Sequence, residues 1–515
     1  MTFIITQSCC NDASCVPVCP VNCIHPRPDD PAFATADMLY IDPATCIECG
    51  ACVDECPVEA IKPDYELSDA EKWYVDANAG FFEDFSYDAD DLPHEPVSHS
   101  SGDFSGLRVA VVGSGPAAFY TAAHILAARG TEVEMYERLD KPFGLIRHGV
   151  APDHVRTRQV VSGFENTMRN SRFRLHLGVE IGGRLTHEDL LRHYSAVVYA
   201  VGAQGDRALD VPGEELPGSH AANEFVAWYN GHPDYADRTF DLGCERVVVV
   251  GNGNVALDVA RVLAADPEDL AETEIAEHSL AALRESKVEE IVVVGRRGPR
   301  QAAYTPSEFH SLMELPGVDV VVDPDDAAAV AALAVAKDTA DTDSWSVRLK
   351  ADLYANVAAR TPDPSARKRI VLRYLASPVE VVGNDTATGV RMVRNKLVGG
   401  QDGALRAEPC EELGVMEAGL ILRSVGYRGN ALPGLPFDDA RGVIPNHGGR
   451  VTEGTAGEVV ERTYVAGWIK RGPRGFIGSN KTCAGETVFH LLQDFQDGKL
   501  PPRPDRTSPV EMLGA

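Results

Sequence analysis

No run of about 20 apolar residues occurs anywhere in the 515 positions, so no helical segment is expected to span a membrane. The first residues, MTFIITQSCC, lack the basic stretch and the apolar core of a secretory leader, and the expected compartment is the cytoplasm. Positive charge is scarce. Lys and Arg number 48 against 77 Asp and Glu, a net charge of −29, which would repel phosphate backbones and excludes nucleic acid as a general partner. Such acidity commonly serves solubility and is compatible with docking a basic surface. Cysteine is sparse beyond the N-terminus, where Cys244, Cys410 and Cys483 stand isolated. The other nine all lie in the first 56 residues, most with metal-ligand spacing, unlike the scatter of a secreted disulfide framework.

With 44% apolar residues and more length than one hydrophobic core holds, three or four compact units are expected. The stretch Leu107–Glu137 organises them. Val109 to Val112 read as a buried strand. Gly113-Ser114-Gly115-Pro116-Ala117-Ala118 then turns into a helix. Gly113 permits the turn, Gly115 leaves room for a pyrophosphate, and Ala118 lets helix and strand pack closely. The free N–H groups and positive dipole end of the helix would face the phosphates. A second strand ends at Glu137, whose carboxylate suits ribose hydroxyls. The pattern recurs after the strand Val247–Val250 as Gly251-Asn252-Gly253-Asn254-Val255-Ala256. Here the next strand ends in Arg296-Arg297 in place of an acid. An acid would repel a 2′-phosphate, whereas two guanidiniums can hold it, so NADP is expected over NAD.

The N-terminal unit carries Cys46-x2-Cys49-x2-Cys52-x3-Cys56-Pro57, the run found in bacterial ferredoxins. Zinc sites prefer two separated CxxC pairs, which makes a zinc knuckle the lesser reading. Upstream stand Cys9, Cys10, Cys15, Cys19-Pro20 and Cys23, with the middle cysteine of a repeat missing. This arrangement resembles the seven-iron ferredoxins. The resemblance implies that Cys9, Cys15 and Cys56 hold a [3Fe–4S] cluster and that Cys19, Cys46, Cys49 and Cys52 hold a [4Fe–4S] cluster. Cys10 could replace Cys9 or complete a four-iron cluster, and Cys23 reads as a buried small hydrophobe.

The segment PFGLIRHGVAPDH, Pro142 to His154, resembles a motif of adrenodoxin-reductase-like ferredoxin–NADP reductases, and the likeness runs from about Leu107 to Lys499. With the N-terminal unit in front, the chain resembles bacterial fusions of a ferredoxin to such a reductase. The resemblance places Leu145, Val179, Trp468, Gly475, Phe476 and Ile477 at FAD, with Gly475 also near NADP. It places Arg207 at NADP, Glu308 at the nicotinamide half and His154 by the flavin as a proton-handling group. The family's second acid falls at Ser311 here. Lys470, Arg471 and Arg474 are available to attract an acidic ferredoxin or to contact phosphate.

The implied fold is α/β, two Rossmann-like dinucleotide-binding domains of the glutathione-reductase kind preceded by a small α+β ferredoxin domain. The expected units are 1–62 for iron–sulfur, 63–106 as an acidic linker, 107–206 and 426–499 for FAD, 207–425 for NADP, and a poorly ordered tail 500–515. The linker reads either as a coil spanning roughly 40 Å, with a short helix or strand near Lys72–Val75, or as an ordered strap. The implied activity is NADPH–ferredoxin oxidoreduction, from NADPH through FAD to clusters and a ferredoxin or other one-electron acceptor protein. An electron-supply subunit like the small subunit of glutamate synthase, or a non-enzymatic redox sensor, are the alternatives.

Overall fold

Runs of buried valine and isoleucine fix two parallel sheets, because strands covered by helices or ribbons on both faces need apolar side chains on both. The computed structural model describes residues 2–88, 102–324, 344–400, 405–455, 457–503 and 509–512. The first sheet runs Asn446–His447, Arg450–Thr452, Val459–Val465, Ala196–Tyr199, Arg108–Val112, Glu132–Tyr136, Phe173–His176. Its last four strands are mutually parallel, with Val112 level with Tyr136 and Tyr199, so Gly113 and Glu137 emerge side by side at the carboxyl edge. The helices Pro116–Ala127 and Ser479–Gln496 pack together on one face.

The second sheet runs Ser219–Ala221, Leu420–Arg423, Arg246–Val250, Glu290–Val294, Lys368–Arg373, Val318–Val322, all parallel. An antiparallel ribbon, Ala376–Gly383, Ala387–Gly399 and Leu405–Glu417, covers its far face through Val381, Val390 and Met392. The strand near Ile370–Tyr374 therefore belongs to the parallel sheet, and the antiparallel piece begins only at Ala376. Leu420–Arg423 also lies inside this second sheet. The chain returns to the first domain just after it, at the crossover where Tyr427–Arg428 pairs with Gly205–Asp206.

Of the two readings of the linker, its described part follows the ordered strap. Ile61–Pro63 pairs with Phe3–Ile5, and Trp73–Asp84 is a helix of 12 residues. Its aromatic and small residues supply the cause: Tyr74, Ala77, Gly80 and Phe81 are buried within an otherwise acidic segment. Asn78 is fully buried and fully bonded. Its Oδ1 accepts from Ile5 N and Ile41 N at 3.2 and 2.9 Å, and its Nδ2 donates to Ile5 O and Tyr74 O at 2.9 and 2.8 Å. One side chain thus clips the helix to two N-terminal strands, satisfying groups that would be costly to bury alone. The other side of this strap meets the second domain. The Trp73 ring stacks on His310 at 4.4 Å, and a Cβ at Gly80 would lie 2.3 Å from the Trp345 ring. Within the described residues the N-terminal unit is docked, not loosely tethered; residues 89–101 lie outside them.

The Ala-rich stretch 325–368 is described only from residue 344, where Trp345–Ala359 forms a helix. Part of the tail is held. Arg503 N donates to Gly106 O at 2.8 Å, and Pro509–Met512 make a short 3-10 turn; 504–508 and 513–515 are outside the described residues.

Candidate functional site

The nine N-terminal cysteines are all free and form two groups of sulfur. Cys19, Cys23, Cys46, Cys49 and Cys52 line one cavity together with Phe3 and Ile41. Gly50, at φ +75, makes the turn that folds the backbone around it. Cys9, Cys10, Cys15 and Cys56 form the second group, close enough that charge on one disfavours charge on the next. Burial pushes the Cys9 and Cys52 thiols up to about 12 and those of Cys10 and Cys15 well above the usual range. Such thiols become thiolates only against a bound cation, so loading iron expels protons. Sulfur donors without histidine suit iron–sulfur chemistry. Cys23 is buried as expected but is no mere filler, since its Sγ lies 3.4 Å from Cys19 Sγ in the shared cavity. That hydrogen bond lowers the Cys19 thiol to about 6 and raises Cys23. The repeated x3 spacing from Cys15 to Cys19 to Cys23 was the available signal.

At the carboxyl edge of the first sheet, the expected FAD residues come together. Gly113, at φ +100, has Ala200 O 2.6 Å from where a Cβ would be, so the turn fits against the neighbouring strand only as glycine. Gly115 faces open space, and Pro116 and Ala117 begin the helix behind it. Glu137 Oε2 accepts from Ser114 N and Oγ at 3.1 and 2.6 Å, and Val179 N donates to Glu137 O at 2.8 Å. The Pro142–His154 loop closes over this turn: Phe143 N donates to Ser114 O, and Gly144 presses on Gly115 just ahead of Leu145. Gly467 presses on Ala117 and so delivers Trp468, whose Nε1 donates to Arg474 O at 3.1 Å. Gly475 packs on Ser479, followed by Phe476 and Ile477 at the start of the last long helix. The open space at Gly115 fits a pyrophosphate. Gly115→Val should therefore fold normally by circular dichroism yet elute from gel filtration without its yellow flavin; full flavin retention would sink this placement.

The second turn, Asn252 to Val255, opens the helix Asn254–Ala264. Asn252 O accepts from Tyr304 N, and Asn254 Oδ1 from Thr305 N at 2.8 Å, which strings the helix Pro306–Met313 and its Glu308 beside the turn. Gly253 lies against Ala303, leaving backbone exposed as a phosphate cradle. Arg296 is exposed and has no ion-pair partner among the described residues; Arg297 reaches only Gln301 O at 3.4 Å. Burial and its charged neighbour both push the Arg297 pKa down, as expected of a cationic pair lacking an anion. Arg207 sits at the domain crossover, its N donating to Gly426 O. Lys470 and Arg471 depart from expectation. Both are consumed internally, Lys470 by Glu486 and Thr487 and Arg471 by Ser479, Asn480 and Arg474 O, which leaves Arg474 as the exposed member of the three.

His154 and Glu308 meet in a buried charged cluster whose hub the sequence reading missed. Arg261 bonds Asp153 at 2.5 Å, His154 Nε2 at 2.6 Å, Asp258 at 2.8 Å and Glu308 Oε2 at 3.2 Å; His154 Nε2 lies 3.6 Å from that same Glu308 oxygen. His154, Asp258 and Glu308 could geometrically hold a metal ion, but the guanidinium already occupies the cation's place. Burial lowers the His154 pKa, as does Arg261, and its Nε2 accepts from Arg261 as a neutral imidazole. Burial raises Asp258 to about 6 and also raises Glu308, whereas Arg261 overcomes burial at Asp153 and holds it near 2. Asp258 brings a second carboxylate within 4.8 Å of His154 and Glu308, whereas Ser311 carries none. The only sequence trace of the hub was an arginine three residues past Asp258 on an otherwise buried helix.

The second cysteine group touches the start of the last long helix directly. Gly478 N donates to Cys10 O at 2.7 Å, and Lys481 Nζ donates to Asp12 O and Ser14 Oγ at 3.1 and 3.0 Å.

Residues 107–290 match the model of the pyridine nucleotide-disulphide oxidoreductase family, and residues 39–62 that of the 4Fe-4S binding domain. The chain is similar to a probable ferredoxin/ferredoxin–NADP reductase of Mycobacterium tuberculosis, at 49% identity over 97% of this chain and 85% of that protein. It is also similar to the human mitochondrial NADPH:adrenodoxin oxidoreductase, at 40% over 77% of this chain and 81% of that one. Among solved structures, M. tuberculosis FprA in complex with NADPH superposes with a TM-score of 0.73 at 42% identity, covering 79% of this chain and 89% of that chain. No helix among the described residues is long and apolar enough to cross a membrane. With its two cysteine groups, its two nucleotide turns and this likeness along nearly its whole length, the chain belongs to the ferredoxin/ferredoxin–NADP reductase family.

Proposed function

We propose that this chain is a ferredoxin–NADP+ reductase that carries its own first acceptor, oxidising NADPH at the Arg296–Arg297 domain and releasing single electrons through the N-terminal cysteines. The peptide hydrogen bond between Gly478 and Cys10 carries the reading, because it joins the segment beside the flavin to the nearer cysteine group through one contact of 2.7 Å. Bound FAD supplies the conversion of a two-electron hydride into single electrons that clusters accept. Gly113, Gly115 and the helix start hold its pyrophosphate, Glu137 its ribose, and Leu145, Trp468 and Phe476 cover its ring. Arg296 and Arg297 hold the coenzyme's 2′-phosphate, and Arg207 and Asn252 to Val255 the rest of it. Glu308, held by Arg261 and facing His154, holds the proton that accompanies the hydride in a site largely shielded from water. Cys9, Cys15 and Cys56 ligate the cluster nearer the flavin, with Cys10 adjacent. Cys19, Cys46, Cys49 and Cys52 ligate the one facing solvent, where Cys49 and Ile47 are exposed. External ferredoxin or another one-electron acceptor protein is served from that face. Free thiols and metal-ligand spacing fit a reducing cytoplasm.

Replacing Cys49 and Cys52 by serine in the full chain should leave FAD bound and NADPH–ferricyanide turnover intact, while steady NADPH-driven reduction of cytochrome c falls at least tenfold. In the parent chain, cluster reduction on mixing with NADPH should not depend on protein concentration, as an intramolecular step requires. Undiminished cytochrome c reduction by the variant would take the clusters off the main route.

A further inference from the structure

The helix Pro306–Met313 belongs to the NADP domain, yet the N-terminal unit grips it along its length. Ser307 Oγ donates to Asp37 Oδ2 at 3.4 Å, His310 Nε2 bonds Ala70 O at 3.0 Å, and Trp73 stacks on His310. Between these contacts, Gln7 Nε2 donates to Glu308 Oε2 at 3.2 Å, across 301 residues of chain. This is the same oxygen that accepts from Arg261 and faces His154. The base of Gln7 is fixed, since Thr6 N and Oγ1 both donate to Ala60 O and Cys9 N donates to Thr6 O.

We infer that the N-terminal unit completes the proton-holding site of the reductase, with Gln7 as a positioning residue that orients Glu308 and sets its charge. The inference rests on the placement of Glu308 at the nicotinamide half proposed above. An amide donor stabilises the carboxylate over the carboxylic acid, against the burial that favours the acid. Among the groups around Glu308, Arg261 favours its charged form, Asp153 and Asp258 oppose it, and His154 is neutral. Tyr74 of the strap and Asp37 beside Ser307 complete the surroundings from the N-terminal side. Gln7 is the neutral member that the ferredoxin half contributes. A reductase lacking that half would have to solvate Glu308 differently. The fused unit is thus part of the hydride-transfer site as well as a receiver of electrons.

The test uses three full-length variants, Gln7→Leu, Gln7→Glu and Gln7→Lys, each checked for parental iron and flavin content. NADP+ affinity is read from the perturbed flavin spectrum and hydride transfer from flavin bleaching, both as functions of pH. Loss of the donor in Gln7→Leu should move the limb assigned to Glu308 to higher pH and change bleaching at neutral pH by about threefold to tenfold. Gln7→Glu should move that limb further in the same direction, and Gln7→Lys to lower pH. A contact that merely glued the two halves together would shift all three variants alike, and equal shifts, or none, overturn the inference. Glu308→Gln, measured in parallel, separates the two ways of failing. If that variant binds NADP+ and bleaches as the parent does, the placement of Glu308 falls and takes the inference with it. If only the Gln7 series is silent, the placement stands and the role of Gln7 is refuted.

Discussion

Replacing Arg296 and Arg297 together with glutamine should raise the KM for NADPH roughly a hundredfold and leave NADH turnover nearly unchanged. The two guanidiniums are adjacent, and Arg296 has no ion-pair partner among the described residues, so the protein gains nothing from them until an anion arrives. Charge-assisted hydrogen bonds contribute about 1.5–3 kcal/mol each, and about 3 kcal/mol for the partly exposed pair corresponds to roughly two powers of ten. The effect belongs to coenzyme binding, so kcat should change less than KM. Initial rates with ferricyanide under both coenzymes decide the matter. Equal losses with NADPH and NADH would show that the pair only shapes the end of the strand Glu290–Val294.

Gly478→Ala should uncouple the two halves. A Cβ there would lie 2.1 Å from both Asn11 C and Asp12 N, which are backbone atoms that no rotamer change can move aside. The loop must retreat, breaking the Gly478–Cys10 bond and the Lys481 contacts to Asp12 and Ser14. Overpacking of this kind costs about 1–3 kcal/mol, enough to populate an undocked state. In stopped-flow absorption, flavin bleaching by NADPH should change by no more than the threefold to tenfold expected of Gln7→Leu, while cluster reduction slows by a clearly larger factor and becomes sensitive to viscosity. Parental cluster reduction in a variant of normal iron content would mean that electrons leave the flavin elsewhere.

Both nucleotide domains were readable because their signals are local. A valine run, a glycine turn and a helix start lie within about thirty residues, and the buried parallel strands follow from them. The place of the arginine pair just past the strand Glu290–Val294 was readable for the same reason. What escaped were contacts between residues far apart in the chain. Asp153 and Arg261 meet only once the sheets are assembled, and Gln7 reaches Glu308 from the other end of the molecule. The strap stayed open between coil and ordered segment because acids dominate its composition, while its fold depends on a few buried positions, of which Asn78 is polar. Gly478 left no sequence signal either, because its helical φ of −70 shows that space, not conformation, demands a glycine. Periodicity reports what an element buries and is silent about which distant surface does the burying.

The contact between Lys481 and Asp12 spans 469 positions of the chain, with consequences for how the protein is made. At synthesis rates of about 5–20 residues per second, the surface that covers the Cys10–Ser14 loop follows it from the ribosome by roughly 25–90 s. For most of that interval, once Asn78 has been made and fastens its strands, the cysteine unit is complete but its reductase-facing side stands open. Iron delivery to Cys9, Cys15 and Cys56 thus has a window that narrows when the last long helix is made. Cells starved of iron during translation should accumulate chains that are docked and empty, and these should load more slowly on later addition of iron and sulfide than chains supplied from the start.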